Sequence, residues 1–231
     1  MQYLSQRLAS KPATKRGRGA GREAVPSPQR ERILDAAEWL AAERGCAGSS
    51  VEAIVKAAGV ATVTFYEHFE GKEECFVAAF DRAVDGAAAD LAGAVSPDGA
   101  GAISGDGAAG ELTWPEQIAT GLRALIELIA AHPERARLCL VEARTGGPQL
   151  SARFEAALDR AAGKLREGRA LSTAPADLPA THEEATAGAL AWLLCERLER
   201  GGEEQIEAIY PELIDIALAP YLEEGEPADE L

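Results

Sequence analysis

Residues 53–76 read AIVKAAGVATVTFYEHFEGKEECF, and this stretch decides the fold. Val51, Ile54, Val55 and Ala58 recur at helical spacing, and Gly59 follows where a tight turn needs left-handed backbone. A second short helix is predicted over residues 61–67. Phe69, Glu70 and Gly71 then break the pattern. A longer helix begins near Lys72 and runs to about residue 93, with Phe76, Ala79, Phe80, Ala83 and Val84 along one side. Two short helices joined by a glycine-containing turn form the helix-turn-helix pattern. In that pattern the second helix fits the major groove of DNA, and the first braces it against the backbone. Phe65 points away from Val63 and can pack inward. Thr62, Val63 and Tyr66 are three or four residues apart and can share one outward face.

The chain upstream supplies the rest of a three-helix unit. Ser27-Pro28 reads as a helix start, with serine as cap and proline in the first turn. Ile33, Ala37, Leu40 and Ala41 form one apolar stripe, and Gly45 ends that helix. Ser49-x-x-Glu52 has the spacing of a capping box for the helix that carries Val51. Downstream, residues 96–110 are rich in Gly, Ala, Asp and Ser and read as a flexible loop. Five helical segments are predicted after it, over about residues 114–131, 133–145, 148–170, 182–200 and 203–222, with a proline-containing break at 175–179. No strand pattern and no internal repeat occur. The expected class is all-α, organised as a flexible basic arm (1–26), a helix-turn-helix domain (27–72) and a C-terminal regulatory and dimerisation domain (73–231).

The net charge of −15 over 231 residues is unpromising for a nucleic-acid binder. Its distribution is not. Residues 1–32 carry eight Lys/Arg and two Glu, a net +6, and residues 86–231 carry the whole acidic excess, 11 basic against 26 acidic. Affinity for DNA depends on local phosphate neutralisation, so the front end matters more than the total. Arg16, Arg18 and Arg22 read either as a DNA-contacting arm or as a solubilising tail. The same composition superficially resembles a transit peptide. Cys46, Cys75, Cys139 and Cys195 are far apart and show no metal spacing, so they read as reduced, buried thiols, with no metal and no cofactor expected. The longest apolar run, residues 187–195, is well short of the roughly 20 residues that span a bilayer. A cytoplasmic protein that engages no membrane is expected.

Residues 32–80 resemble the tetracycline-repressor (TetR) family of transcriptional regulators. Ala58-Gly59-Val60, Thr64-Phe65-Tyr66, His68-Phe69 and Lys72-Glu73 fall at the family's spacing. The resemblance implies that Thr62, Val63 and Tyr66 face base edges. It implies that Thr64, His68 and Lys72 grip phosphates, and that Ser50 opens a helix whose N-terminus meets a phosphate. Three positions depart from the pattern. Ala61 replaces the usual capping serine, Val63 replaces a small residue, and Glu67 puts an acid beside the phosphate track. The reading surface is therefore thin in hydrogen-bonding groups, which shifts specificity toward DNA shape or the arm. Plainer readings stand beside these: Tyr66 closing the small core, Lys72 as a surface charge at a helix start, and His68 packing internally.

Beyond about residue 85 the likeness fades, although the end, IYPELIDIALAPYL (209–222), resembles the last helix of many members. In the family the final two helices build a four-helix dimer interface. Leu190, Leu194, Ile209, Leu213 and Ile216 are the expected interface residues here, with packing inside the chain as the alternative. A homodimer also follows from the DNA problem, because one short helix reads too few bases. The middle helices would hold a small-molecule effector. Trp114, Leu122, Ile126, His132 and Cys139 are candidate lining, as are Phe154 and Trp192. Their apolar character points to a hydrophobic or amphipathic ligand.

The expected function is a ligand-responsive repressor that binds a double-stranded operator and leaves it when the effector binds. The alternative is a small-molecule- or partner-binding protein with a degenerate helix-turn-helix. His68, His132 and His182 occur in no catalytic constellation, and no phosphate-cradling loop follows a strand, so an enzyme is not expected.

Overall fold

Proline at position 28 fixes where the first helix starts, because its missing N–H is one that a first turn leaves unused. The computed structural model describes residues 27–96, 112–171, 177–200 and 203–221. The basic arm with Arg18 and Arg22, and almost all of the 96–110 loop, lie outside the described residues. Helix α1 spans Pro28–Gly48. Ser27 stands at its cap position, but its hydroxyl makes no cap bond, contrary to the sequence reading. Gly45 breaks the helical backbone at φ 74° and ψ 158°, as expected of the glycine that ends the regular helix. The stripe Ile33, Leu34, Ala37, Leu40 and Ala41 is buried.

Helices α2 (Val51–Ala58) and α3 (Thr62–His68) follow, joined through Gly59 at φ 61° and ψ 41°. The cap of α2 is Ser50, whose Oγ accepts the Ala53 N–H at 3.2 Å. The predicted capping box at Ser49 does not form: the cap lies one residue on, and the residue three beyond it is Ala53, which cannot complete a box. Ser49 is buried, and its hydroxyl donates back to the Gly45 carbonyl at 2.9 Å, so it closes the corner between α1 and α2. Helix α4 covers Lys72–Ala94.

The C-terminal helices are α5 (Trp114–Ala131), α6 (Pro133–Leu140), α7 (Pro148–Arg166), α8 (His182–Arg200), α9 (Glu203–Ala208) and α10 (Tyr210–Leu218). The segment predicted as one helix over 203–222 is split at Pro211. Its ring clashes with a preceding turn and its nitrogen has no proton to donate, so it opens a new helix. The segment over 133–145 likewise ends early, in a 3₁₀ turn at Glu142–Arg144. No described residue is in a strand. No described helix is long and apolar enough to cross a membrane.

Among the described residues two apolar cores result. The first joins α1 to α4 through Ile33, Leu40, Ile54, Phe65 and Phe76, and also takes in Leu138, Ala143 and Leu150 from beyond α5. The second is built by α5, α7, α8, α9 and α10 around Ile126, Leu165, Leu194 and Leu213. The helix-turn-helix therefore does not stand on a core of its own.

Candidate nucleic-acid interface

Phe65 is the keystone of α3. It is fully buried, and its ring meets Tyr66 edge-on at 5.4 Å and Phe69 at 5.5 Å between centroids. Because Phe65 faces in, helical geometry turns its neighbours out. Thr62 is exposed, Val63 is 65% exposed and Tyr66 is 56% exposed. The three residues expected to face base edges thus share one open surface. Large apolar groups left in water on a seven-residue helix are what a surface that meets thymine methyls and sugars needs.

The phosphate-contact candidates are less uniform. Thr64 and His68 are half-buried, with the His68 ring 6.3 Å from that of Phe69. Lys72 is already engaged. Its ammonium donates to the carbonyls of Cys46 (3.3 Å), Ala47 (3.2 Å) and Ser49 (2.9 Å). It ties the start of α4 to the corner between α1 and α2 rather than projecting freely. Ser50 is exposed at the N-terminus of α2, where the resemblance places a phosphate. That terminus has a resident acid. The Glu52 carboxyl is held below its ordinary range by its own backbone N–H and by the Ser50 hydroxyl.

Two arginines that the sequence reading passed over frame the surface. The Arg30 guanidinium sits 5.4 Å above the Phe69 ring. Arg32 donates to the carbonyls of Ala58 and, at 2.6 Å, Gly59, so α1 clasps the turn between α2 and α3. The spacing of these residues carried no signal for either contact, because both depend on how α1 crosses the other helices. Arg82 is withdrawn from any phosphate role. It contacts Glu31 at 2.8 Å, Asp35 at 2.8 Å and the buried Glu38 at 2.6 Å, and Arg135 reaches Glu38 from the far side at 3.2 Å. The thiols of Cys46, Cys75 and Cys139 are each pushed up to about 12, chiefly by burial, so they stay protonated and unreactive.

The expected effector site is not assembled. Trp114, Leu122 and Ile126 belong to the second core, while Cys139 and Phe154 pack against the first. The Trp114 indole donates to the Lys164 carbonyl at 3.1 Å and lies over Gly168. His132 lies on the outside, in a shallow cleft of about 250 Å³ with Asp35, Glu38, Trp39, Glu134 and Arg135. Trp192 is 53% exposed and lines nothing internal. The interface expectation also needs correcting. Leu190, Leu194, Ile209 and Leu213 are buried in the chain's own second core, and only Ile216 stays partly open. The apolar period of these helices is spent on intrachain packing.

Residues 33–79 match the family of bacterial regulatory proteins, tetR family. No curated protein matches the chain. Among solved structures, the fatty acid degradation regulator FadR from Bacillus halodurans superposes with a TM-score of 0.68 at 19% identity, over 84% of this chain and 96% of that one. FadR from Bacillus subtilis, solved in complex with stearoyl-CoA, superposes with a TM-score of 0.64 at 19% identity, over 82% and 98%. A TetR-like transcriptional regulator from Rhodococcus sp. RHA1 gives 0.60 at 22% identity, over 84% and 96%. At these identities the likeness is one of fold.

Proposed function

We propose that this chain, a tetR-family DNA-binding regulator by its residues 33–79, is a dimeric repressor that releases its operator when an amphipathic effector enters the C-terminal helices. The observation that carries the reading is the face of α3. Thr62, Val63 and Tyr66 lie open to solvent over a buried Phe65, on a helix that leaves directly from the turn clasped by Arg32. A helix so held can enter a major groove without reorganising. The basic residues of the N-terminal arm add phosphate attraction that the acidic C-terminal half does not offer.

A long-chain acyl thioester is the first effector class to test, because the Bacillus subtilis neighbour binds stearoyl-CoA. In this chain the described helices α5, α7 and α8 are packed together through Ile126, Leu165 and Leu194, so such a ligand would enter by spreading them. Its binding would favour a state in which the two reading helices of the dimer no longer match the spacing of their half-sites.

The test is selection of genomic DNA by the purified chain, followed by gel shifts on the selected fragments across a salt series and with stearoyl-CoA. Recovery of a two-fold symmetric site whose affinity falls with salt supports the reading. Failure to enrich any sequence would sink it. Release by the acyl thioester supports the effector class, and retention of the complex at saturating thioester rejects that class alone.

A further inference from the structure

Glu142 belongs to the 3₁₀ turn after α6, yet its carboxylate meets the far end of α1. Its Oε2 accepts the Cys46 N–H at 2.8 Å, across 96 positions of sequence. Two glycines make the approach feasible. A Cβ on Gly45, whose φ is +74°, would stand 3.0 Å from Glu142 Oε2. A Cβ on Gly146 would stand 2.6 Å from Leu150 Cδ2, 2.9 Å from the Glu142 carbonyl oxygen and 3.6 Å from Cys46 Cβ. The stretch from Glu142 to Leu150 is therefore seated directly on the corner between α1 and α2, and Ala143 and Leu150 share the first apolar core.

That corner is held from both sides. Glu142 takes the amide of Cys46, while Lys72 takes the carbonyls of Cys46, Ala47 and Ser49. The negative charge of Glu142 adds to burial in raising the Cys46 thiol, as expected of an acid lodged beside it. The next residue along is Ser50, the cap of α2 and the expected phosphate contact. An ionised acceptor makes a stronger hydrogen bond than a neutral one, so the clamp is sensitive to where the carboxylate sits.

We propose that Glu142 is a positioning residue for DNA docking. It is carried by the C-terminal half, and it fixes the corner from which α2 departs, and hence the orientation of Ser50 and of α3 behind it. DNA affinity then depends on the seating of residues 142–150, which gives the C-terminal half a grip on the reading head separate from the α4 helix that joins them in sequence. The proposal rests on the DNA-binding reading above.

The experiment uses the full chain and the variants Glu142→Ala and Glu142→Gln. Three quantities are measured: amide hydrogen exchange over residues 45–55, affinity for a DNA fragment selected by the wild type, and the thermal midpoint. Glu142→Ala is expected to speed exchange over 45–55 and to weaken DNA binding by about tenfold. Glu142→Gln keeps an acceptor oxygen and should recover most of both. Wild-type affinity in Glu142→Ala overturns the proposal. So does an equal loss in both variants that tracks the thermal midpoint, which would mark Glu142 as structural only. If the wild type selects no DNA, the underlying reading has failed, and that result is visible before any variant is made.

Discussion

Val63 and Tyr66 are costly to leave in water, and nothing in the packing of the described residues requires them to be there. Tyr66 touches Phe65 edge-on, but most of its ring lies outside the core. Tyr66→Ala should therefore weaken binding to a selected operator by about tenfold to a hundredfold and leave the thermal midpoint nearly unchanged. A variant that lost stability instead would make Tyr66 the lid of the core. Glu52 gives a prediction of opposite sign. Its carboxylate occupies the N-terminus of α2, held by the Ser50 hydroxyl that a phosphate would need. Glu52→Gln removes that competing charge, so it should tighten DNA binding several-fold and steepen its dependence on salt. Equal affinity in the two proteins would show that Glu52 swings clear at no cost. The outward face of α3 was readable from spacing alone, because helical periodicity places Phe65 opposite Val63. The engagement of Lys72 was not, because it depends on carbonyls 23 to 26 residues away in sequence.

Helix positions were legible for a similar reason: stripes of Ile, Leu and Ala repeat at helical spacing, and Gly45, Gly59 and the prolines punctuate them. Caps and ties were less so. Ser49 and Ser50 are chemically equivalent in the sequence, and only the path of the corner decides that Ser50 caps while Ser49 turns inward. At α5 the signal was present and unread. Thr113-x-x-Glu116 forms the box, with the Thr113 N–H donating to Glu116 at 2.7 Å. The start of α8 carries a tie that no pattern reveals. Glu183 is fully buried and accepts from Arg169 at 2.6 Å and from the Tyr221 hydroxyl at 2.8 Å, which fastens the end of the described chain to α8. The Arg169 guanidinium holds the Glu183 carboxyl down at about 2. A carboxyl lowered in the folded state stabilises fully above its unfolded value and loses that contribution as pH falls toward the folded value. The tie should thus stabilise the fold at neutral pH and fade in acid. Glu183→Gln should lower the thermal midpoint near neutrality and reduce its further fall in acid. Parallel midpoint curves for the two proteins would show that the pair contributes nothing.

The larger correction concerns what the apolar periodicity of the last helices is for. Leu190, Leu194, Ile209 and Leu213 were expected between two copies of the chain, and they are inside one. A sequence cannot separate these uses, because burial against a partner and burial against a neighbouring helix need the same side chains. Exposure can separate them. Trp192 lies on α8 beside exposed Ala189, 53% open to solvent, while Ile216 of α10 is partly open. Small residues around a large aromatic are what allows two helices to approach and bury the ring, and buried tryptophans dominate interface energetics. Under the proposed reading of a two-fold operator two copies are needed, and their pairing surface would lie on a face the chain does not itself cover. The outer face of α8 fits that requirement, with Trp192 near its centre. Trp192→Asp would replace this exposed ring with a charge. It should convert a dimer into a monomer at micromolar concentration and weaken operator binding by at least tenfold, while the helical content stays intact. Sedimentation of both proteins, free and on DNA, decides it. A variant that still sediments as the wild-type dimer would move the interface away from α8, and a monomeric wild type would remove the two-fold argument itself.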